Sequence, residues 1–323
     1  MSRTNQSDRS TLGLTMRAMV LLGLAAALVI AFLMGRELGG ADGPPGNAAR
    51  AATPATGLFE AVVRKDAAGV KAALASGADV NGTLPEGAAP ASRAGMTALM
   101  VACFEGSEGC VAALLDAGAR TDARAADGRT ALIFAAGWGG AGCVERLLAK
   151  GAAPDARAAD GMTALMFAAA RGDVESVRAL LSAGARVDER NKWRQTALMA
   201  AARNGSIEKV GALLEAGASV DLADQFGDTA LSIAASSTYA DDAVVRTLLR
   251  AGSAPDQADN DGVTALMKAA EAGDEAKVAA LLDAGASVTL KDRANGWTAR
   301  DWAAKRDDEQ GRAVAEMLGR IGR

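Results

Sequence analysis

The chain has 323 residues, a formal net charge of −4 and no histidine. So slight a charge gives no global reason to expect binding to nucleic acid or an anionic membrane surface. Without histidine the chain lacks the commonest general base, the commonest metal ligand and the usual near-neutral pH switch. Half of the residues are hydrophobic but only 3% are aromatic, a composition suited to short, closely packed helices.

In chain order, residues 1–17 form a basic segment with Arg3, Arg9 and Arg17 against Asp8. Ala18 to Gly35 then runs eighteen residues without a charge. As a helix that length approaches the ~30 Å hydrocarbon layer of a bilayer. Arginine on its N-terminal side predicts a cytoplasmic N-terminus and export of the chain beyond the apolar stretch. A cleaved signal peptide is the rival reading, with Gly39 and Ala41 as cleavage-site residues. The length of the apolar stretch favours an uncleaved anchor. Residues 36–57, with Gly39-Gly40, Gly43-Pro44-Pro45-Gly46 and Pro54, read as a flexible tether.

From residue 58 onward the chain repeats itself. DARAADGRTALIFAA at Asp122–Ala136 returns as DARAADGMTALMFAA at Asp155–Ala169, 33 residues on, and the same threonine recurs at Thr97, Thr130, Thr163, Thr196, Thr229 and Thr264. A fixed period of this length predicts stacked units that supply each other's core. In the unit starting at Ala158, Asp160-Gly161 marks a turn and Thr163 an N-cap. Ala164–Arg171 is a first helix ended by Gly172, and Val174–Ala183 a second with Val174, Val177, Leu180 and Leu181 on one face. Gly184 stands just beyond it. A truncated opening unit at 58–83 and a polar closing unit at 293–323 cap six regular units at 92–292. A loop at 84–91 is inserted before them. The unit from Asp224 carries two extra residues around Ser236–Asp242.

The period, the D-G-x-T-A-L opening, the A-A-x-x-G middle and the L-L-x-x-G-A ending resemble the ankyrin repeat family over roughly residues 58–320. The resemblance implies an all-α solenoid of helix-turn-helix pairs with short hairpin loops, here preceded by one transmembrane helix. It departs from the family's Thr-Pro-Leu-His, reading Thr-Ala-Leu followed by Met100, Ile133, Met166, Met199, Ser232 or Met267. The missing histidine removes a polar link common in the family.

Catalytic chemistry has little to stand on. Asp127, Asp160 and Asp261 recur at one offset before Gly and read as turn formers rather than an acid–base pair. Cys103, Cys110 and Cys143 read as small helix residues; a disulfide is open. No cofactor or metal is expected. The resemblance implies that partners are held by hairpin tips and first-helix ends on the concave side. Those positions present Arg129, Met162, Lys192, Trp193, Arg194, Gln195 and Phe226 at the tips, and Phe104, Trp138, Arg171, Arg203 and Asn204 at the helix ends. Lys192-Trp193-Arg194 displaces the usual turn formers, a local cost that points to function. Trp and Arg are enriched at binding hot spots.

The expected function is therefore non-enzymatic protein binding. The partner is expected to be a bacterial envelope protein with acidic surface groups, which the chain would inhibit, protect or position. Neither nucleic acid nor a small-molecule substrate is expected. The alternatives are a structural spacer or a carboxylate-dependent hydrolase.

Overall fold

The computed structural model describes residues 54–84 and 95–321. The apolar leader at 18–35, most of the tether and nearly all of the inserted loop lie outside the described residues. Among those described, sixteen α-helices and one π-helical turn form eight hairpins. The first helices are α1 (Pro54–Val63), α3 (Ala98–Phe104), α5 (Ala131–Phe134, continued by the π turn Ala135–Gly139), α7 (Ala164–Arg171), α9 (Ala197–Arg203), α11 (Ala230–Ser236), α13 (Ala265–Ala272) and α15 (Ala299–Ala304). The second helices are α2 (Ala67–Ala75), α4 (Glu108–Asp116), α6 (Ala141–Ala149), α8 (Val174–Ser182), α10 (Ile207–Glu215), α12 (Asp242–Arg250), α14 (Glu275–Asp283) and α16 (Glu309–Ile321). First helices pack on first helices of the next unit and second on second, so each hairpin shares its core with its neighbours.

The sequence explains both rows. In the first helices, Ala135-Ala136, Ala168-Ala169, Ala201-Ala202, Ala234-Ala235 and Ala269-Ala270 are fully buried, and Cys103 occupies the same place after Ala102. Side chains this small let neighbouring backbones approach. The second helices contribute Leu114, Leu147, Leu180, Leu213, Leu248 and Leu281, all completely buried. Each such leucine stabilises the stack by roughly 1.5–3 kcal/mol.

The predicted caps form. Thr163 and Thr196 accept hydrogen bonds at 3.3 Å from the N–H of Met166 and Met199. Thr130 does not; its hydroxyl is buried without a partner. Gly184 has φ +83°, in the left-handed region that glycine favours. Gly172 ends α7 for a different reason. Its φ is −76°, but an added Cβ would meet the Ala136 carbonyl oxygen at 2.2 Å, so close packing excludes a side chain.

Two boundaries shift from the sequence reading. The first helix starts inside the expected tether, because Pro54 suits an initial helical turn. The closing unit's last helix is the longest of the described helices, with thirteen residues, where the charged run Lys305–Gln310 predicts a loss of pattern.

Polar links replace the absent histidine. Lys209 donates to the Ala168 and Ala169 carbonyls at the end of α7, and Arg306 to those of Glu271 and Ala272 at the end of α13. Lys277, almost wholly buried, donates to the Ser237 carbonyl at 2.6 Å and pairs with Asp274. Each cation satisfies orphan carbonyls of the preceding unit's first helix and complements its negative end.

Candidate protein-binding face

The hairpin tips share one frame. In the Ala158 unit the Ala158 N–H donates to the Met162 carbonyl and the Gly161 N–H to that of Ala158, both at 2.9 Å. The Asp160 carboxylate accepts from the Met162 N–H, as Asp127 does from that of Arg129. These acids shape turns, as their offset predicts. In the unit from Asp259 the Asp259 carboxylate also takes part, accepting from the N–H groups of Asp261 and Val263. Successive tips are stitched by single backbone bonds. The N–H groups of Ala159, Lys192, Gln225, Asn260 and Arg293 donate to the carbonyls of Asp127, Asp160, Trp193, Phe226 and Asp261. Backbone polarity is thus consumed within the stack, and the tip side chains are left to vary.

The Asn191–Gln195 tip departs most. Arg194 has φ +62°, the conformation that Gly128, Gly161, Gly227 and Gly262 adopt in other units. For a residue with a Cβ this costs about 1–2 kcal/mol. Asn191 does what Asp224 and Asp259 do in their tips: its side-chain oxygen accepts from the N–H groups of Trp193 and Gln195, both at 2.9 Å. Lys192 and Arg194 are exposed and Trp193 is half-buried.

Four of the twelve predicted contact residues, Phe104, Arg129, Trp138 and Arg171, come from three consecutive units and meet in one cluster. Phe104 and Trp138 lie at first-helix ends with ring centroids 5.4 Å apart, and Trp138 lies 5.6 Å from Phe167. Trp138 belongs to the π turn, whose Gly139 abuts the Cys103 carbonyl so closely that a Cβ would stand 2.3 Å from it. Phe134 completes the group, 6.2 Å from Trp138. The Arg129 guanidinium lies 4.9 Å from the Phe167 centroid, 5.8 Å from Trp138 and 5.9 Å from Phe134, and pairs with Asp127 at 3.3 Å. Arg171 stands 5.7 Å from the Trp138 ring. Partial desolvation beside the rings, followed by repulsion from Arg129, lowers its affinity for the proton, though the side chain is exposed and a guanidinium remains charged at any physiological pH.

The other predicted residues do not join that ring cluster. Lys192, Trp193 and Arg194 form the next tip. Arg203 and Phe226 lie near a charged group beyond it. Burial lowers the Arg203 pKa, opposed by Asp224 and Asp228; burial also raises that of Asp224. Lys268 bridges Asp228 and Asp259. The sequence reading missed Phe134, Phe167 and Lys268. All three stand four residues after the capping threonine, so aligning that position across units identifies them.

Cys103, Cys110 and Cys143 are free and buried. Among the described residues no group of three or more His, Cys, Asp or Glu gathers to hold a metal. An open depression of about 320 Å³ lies elsewhere, lined by Ala272, Gly273, Asp274, Glu275 and Gln310.

A repeated frame that spends its backbone polarity internally and varies its outward side chains defines a repeat scaffold. The family model described as ankyrin repeats (3 copies) matches residues 58–158, 139–224, 165–253 and 231–319. The chain belongs to the ankyrin repeat family, whose members are generally protein-interaction modules. No curated protein matches it.

Proposed function

We propose that this chain binds another protein through the face made by its hairpin tips and first-helix ends, the concave side expected of such an array. The observation that carries the reading is the convergence of Phe104, Trp138, Arg129 and Arg171 from three units. Half-buried tryptophan and arginine side by side are the residue types that dominate binding energy when an interface covers them. Lys192, Trp193 and Arg194 extend the surface to the next tip, and the left-handed Arg194 supports it, since backbone strain persists at sites that use it.

The arginine-flanked apolar leader at 18–35 supports a bacterial inner-membrane anchor with the repeats exported, the partner then being an envelope protein that is inhibited, protected or positioned. No helix among the described residues is long and apolar enough to cross a membrane, so the anchor rests on the leader alone.

Crosslinking in intact cells, then mass spectrometry of the proteins that a tagged full chain captures, tests the binding reading. A specific partner should be recovered with wild type and lost with Phe104→Ala/Trp138→Ala or Trp193→Ala/Arg194→Ala. Unchanged capture by both variants would remove this face, and no specific capture at all would favour a spacer. A reporter fused after Arg323 that works only outside the cytoplasm should be active if the repeats are exported.

A further inference from the structure

The cations of the binding face differ in what neutralises them. Arg129 is largely covered by aromatic rings and paired with Asp127. Arg203 faces Asp224 and Asp228, and Lys268 bridges Asp228 and Asp259. Arg171 is exposed, lies against the Trp138 ring and has Arg129 as a like-charged neighbour. No carboxylate among the described residues stands within ion-pair distance of it. Beside it the half-buried rings of Trp138 and Phe104 form an apolar shelf.

We infer that Arg171 receives a side-chain carboxylate of the partner, an aspartate or glutamate in a passing segment, while an adjacent bulky apolar residue of that segment covers Trp138 and Phe104. This rests on the binding reading above and names the chemistry of the partner. Charge complementarity selects the occupant. A carboxylate relieves the repulsion between Arg129 and Arg171 and can take the planar fork of the guanidinium through two parallel hydrogen bonds. The cation–π contact with the indole limits the freedom of that fork before binding, so less side-chain freedom is lost on association. The cluster has the form of an open face spread over three successive units, which suits an internal segment rather than a chain terminus held in a closed nest. Trp138 supplies contact area and Arg171 supplies selection.

The test uses the purified full chain in detergent and a display library of random twelve-residue peptides. Enriched sequences should share an Asp or Glu beside a Leu, Ile, Phe, Tyr or Trp. In titrations of the best peptide, Arg171→Gln should weaken binding about tenfold or more, the scale of a lost hydrogen bond to a charged group. Replacing the peptide's acid by its amide should cause a similar loss in wild type and little further loss in Arg171→Gln. Arg171→Lys, which keeps the charge without the fork, should fall between the two. An unchanged thermal midpoint shows that the variants are folded, as expected for an exposed side chain. Enrichment without acids, selection of phosphorylated peptides over acidic ones in a parallel phosphopeptide array, equal affinity of Arg171→Gln, or no enrichment would each overturn the inference. A partner captured in cells and lost with Phe104→Ala/Trp138→Ala would still uphold the binding reading, so the two can fail separately.

Discussion

Arg194 holds a backbone conformation that glycine holds at the equivalent places, within a tip fixed by its own N–H to the Asn191 carbonyl, by the Arg190 guanidinium on its carbonyl and by two hydrogen bonds to the Asn191 side chain. Arg194→Gly should therefore raise stability by about 0.5–1 kcal/mol, the relief of left-handed strain less the entropy that glycine loses on folding. The shift of the urea midpoint at constant slope reads this directly. If the strained residue serves the interface, the same variant should capture the partner less well than wild type. This cost was legible in the sequence, because Lys-Trp-Arg cannot make an x-Asp-Gly turn. The hydrogen bonding of Asn191 was not, because only the folded tip shows its side-chain oxygen reaching two N–H groups.

At the scale of the helices, one letter does two jobs. The capping threonine recurs at every regular unit, and Thr163 bonds the N–H of Met166 while the buried Thr130 hydroxyl bonds nothing. Thr163→Ala should cost about 1 kcal/mol, the usual worth of a lost N-cap, and Thr130→Ala should cost clearly less. Equal losses in matched denaturation curves would show that the Thr130 cap forms in solution. In the Ala158 unit the repeat pattern placed both helices to within a residue, because period and caps are local. The π turn at Ala135–Gly139 was not foreseeable from spacing, since the unit keeps its 33-residue length. Its Gly139 packs against the Cys103 carbonyl of the preceding unit, a contact that spacing does not reveal.

Across the whole stack, a core shared between neighbours makes reactivity report on unfolding. Burial pushes the Cys103 thiol well above its ordinary value of 9.0, with a smaller contribution from Cys143. It pushes Cys143 to about 11, with Glu108 adding to the shift. A thiolate is the reactive form, so alkylation of either thiol at pH 8 should be negligible in the native chain and become complete only as the amino-terminal units unfold in denaturant. The pH dependence has a definite sign. Unfolded thiols ionise near 9 while the folded ones stay protonated, so their contribution to stability is full below pH 9 and declines as pH rises toward 11. Denaturation midpoints at pH 8 and pH 10 should fall in that order, and the decline should shrink in Cys103→Ala/Cys143→Ala.

The sequence by itself determined that the chain is an all-helical repeat array and which positions in its units vary, because both come from a period and from hydrogen bonds within a few residues. It named Phe104, Arg129, Trp138 and Arg171 as surface candidates on equal terms with Lys192, Trp193, Arg194, Arg203 and Phe226. Only the tertiary structure decided which of them meet. Residues one period apart become neighbours through stacking, and whether a guanidinium finds a ring or a carboxylate there depends on side chains from three units at once.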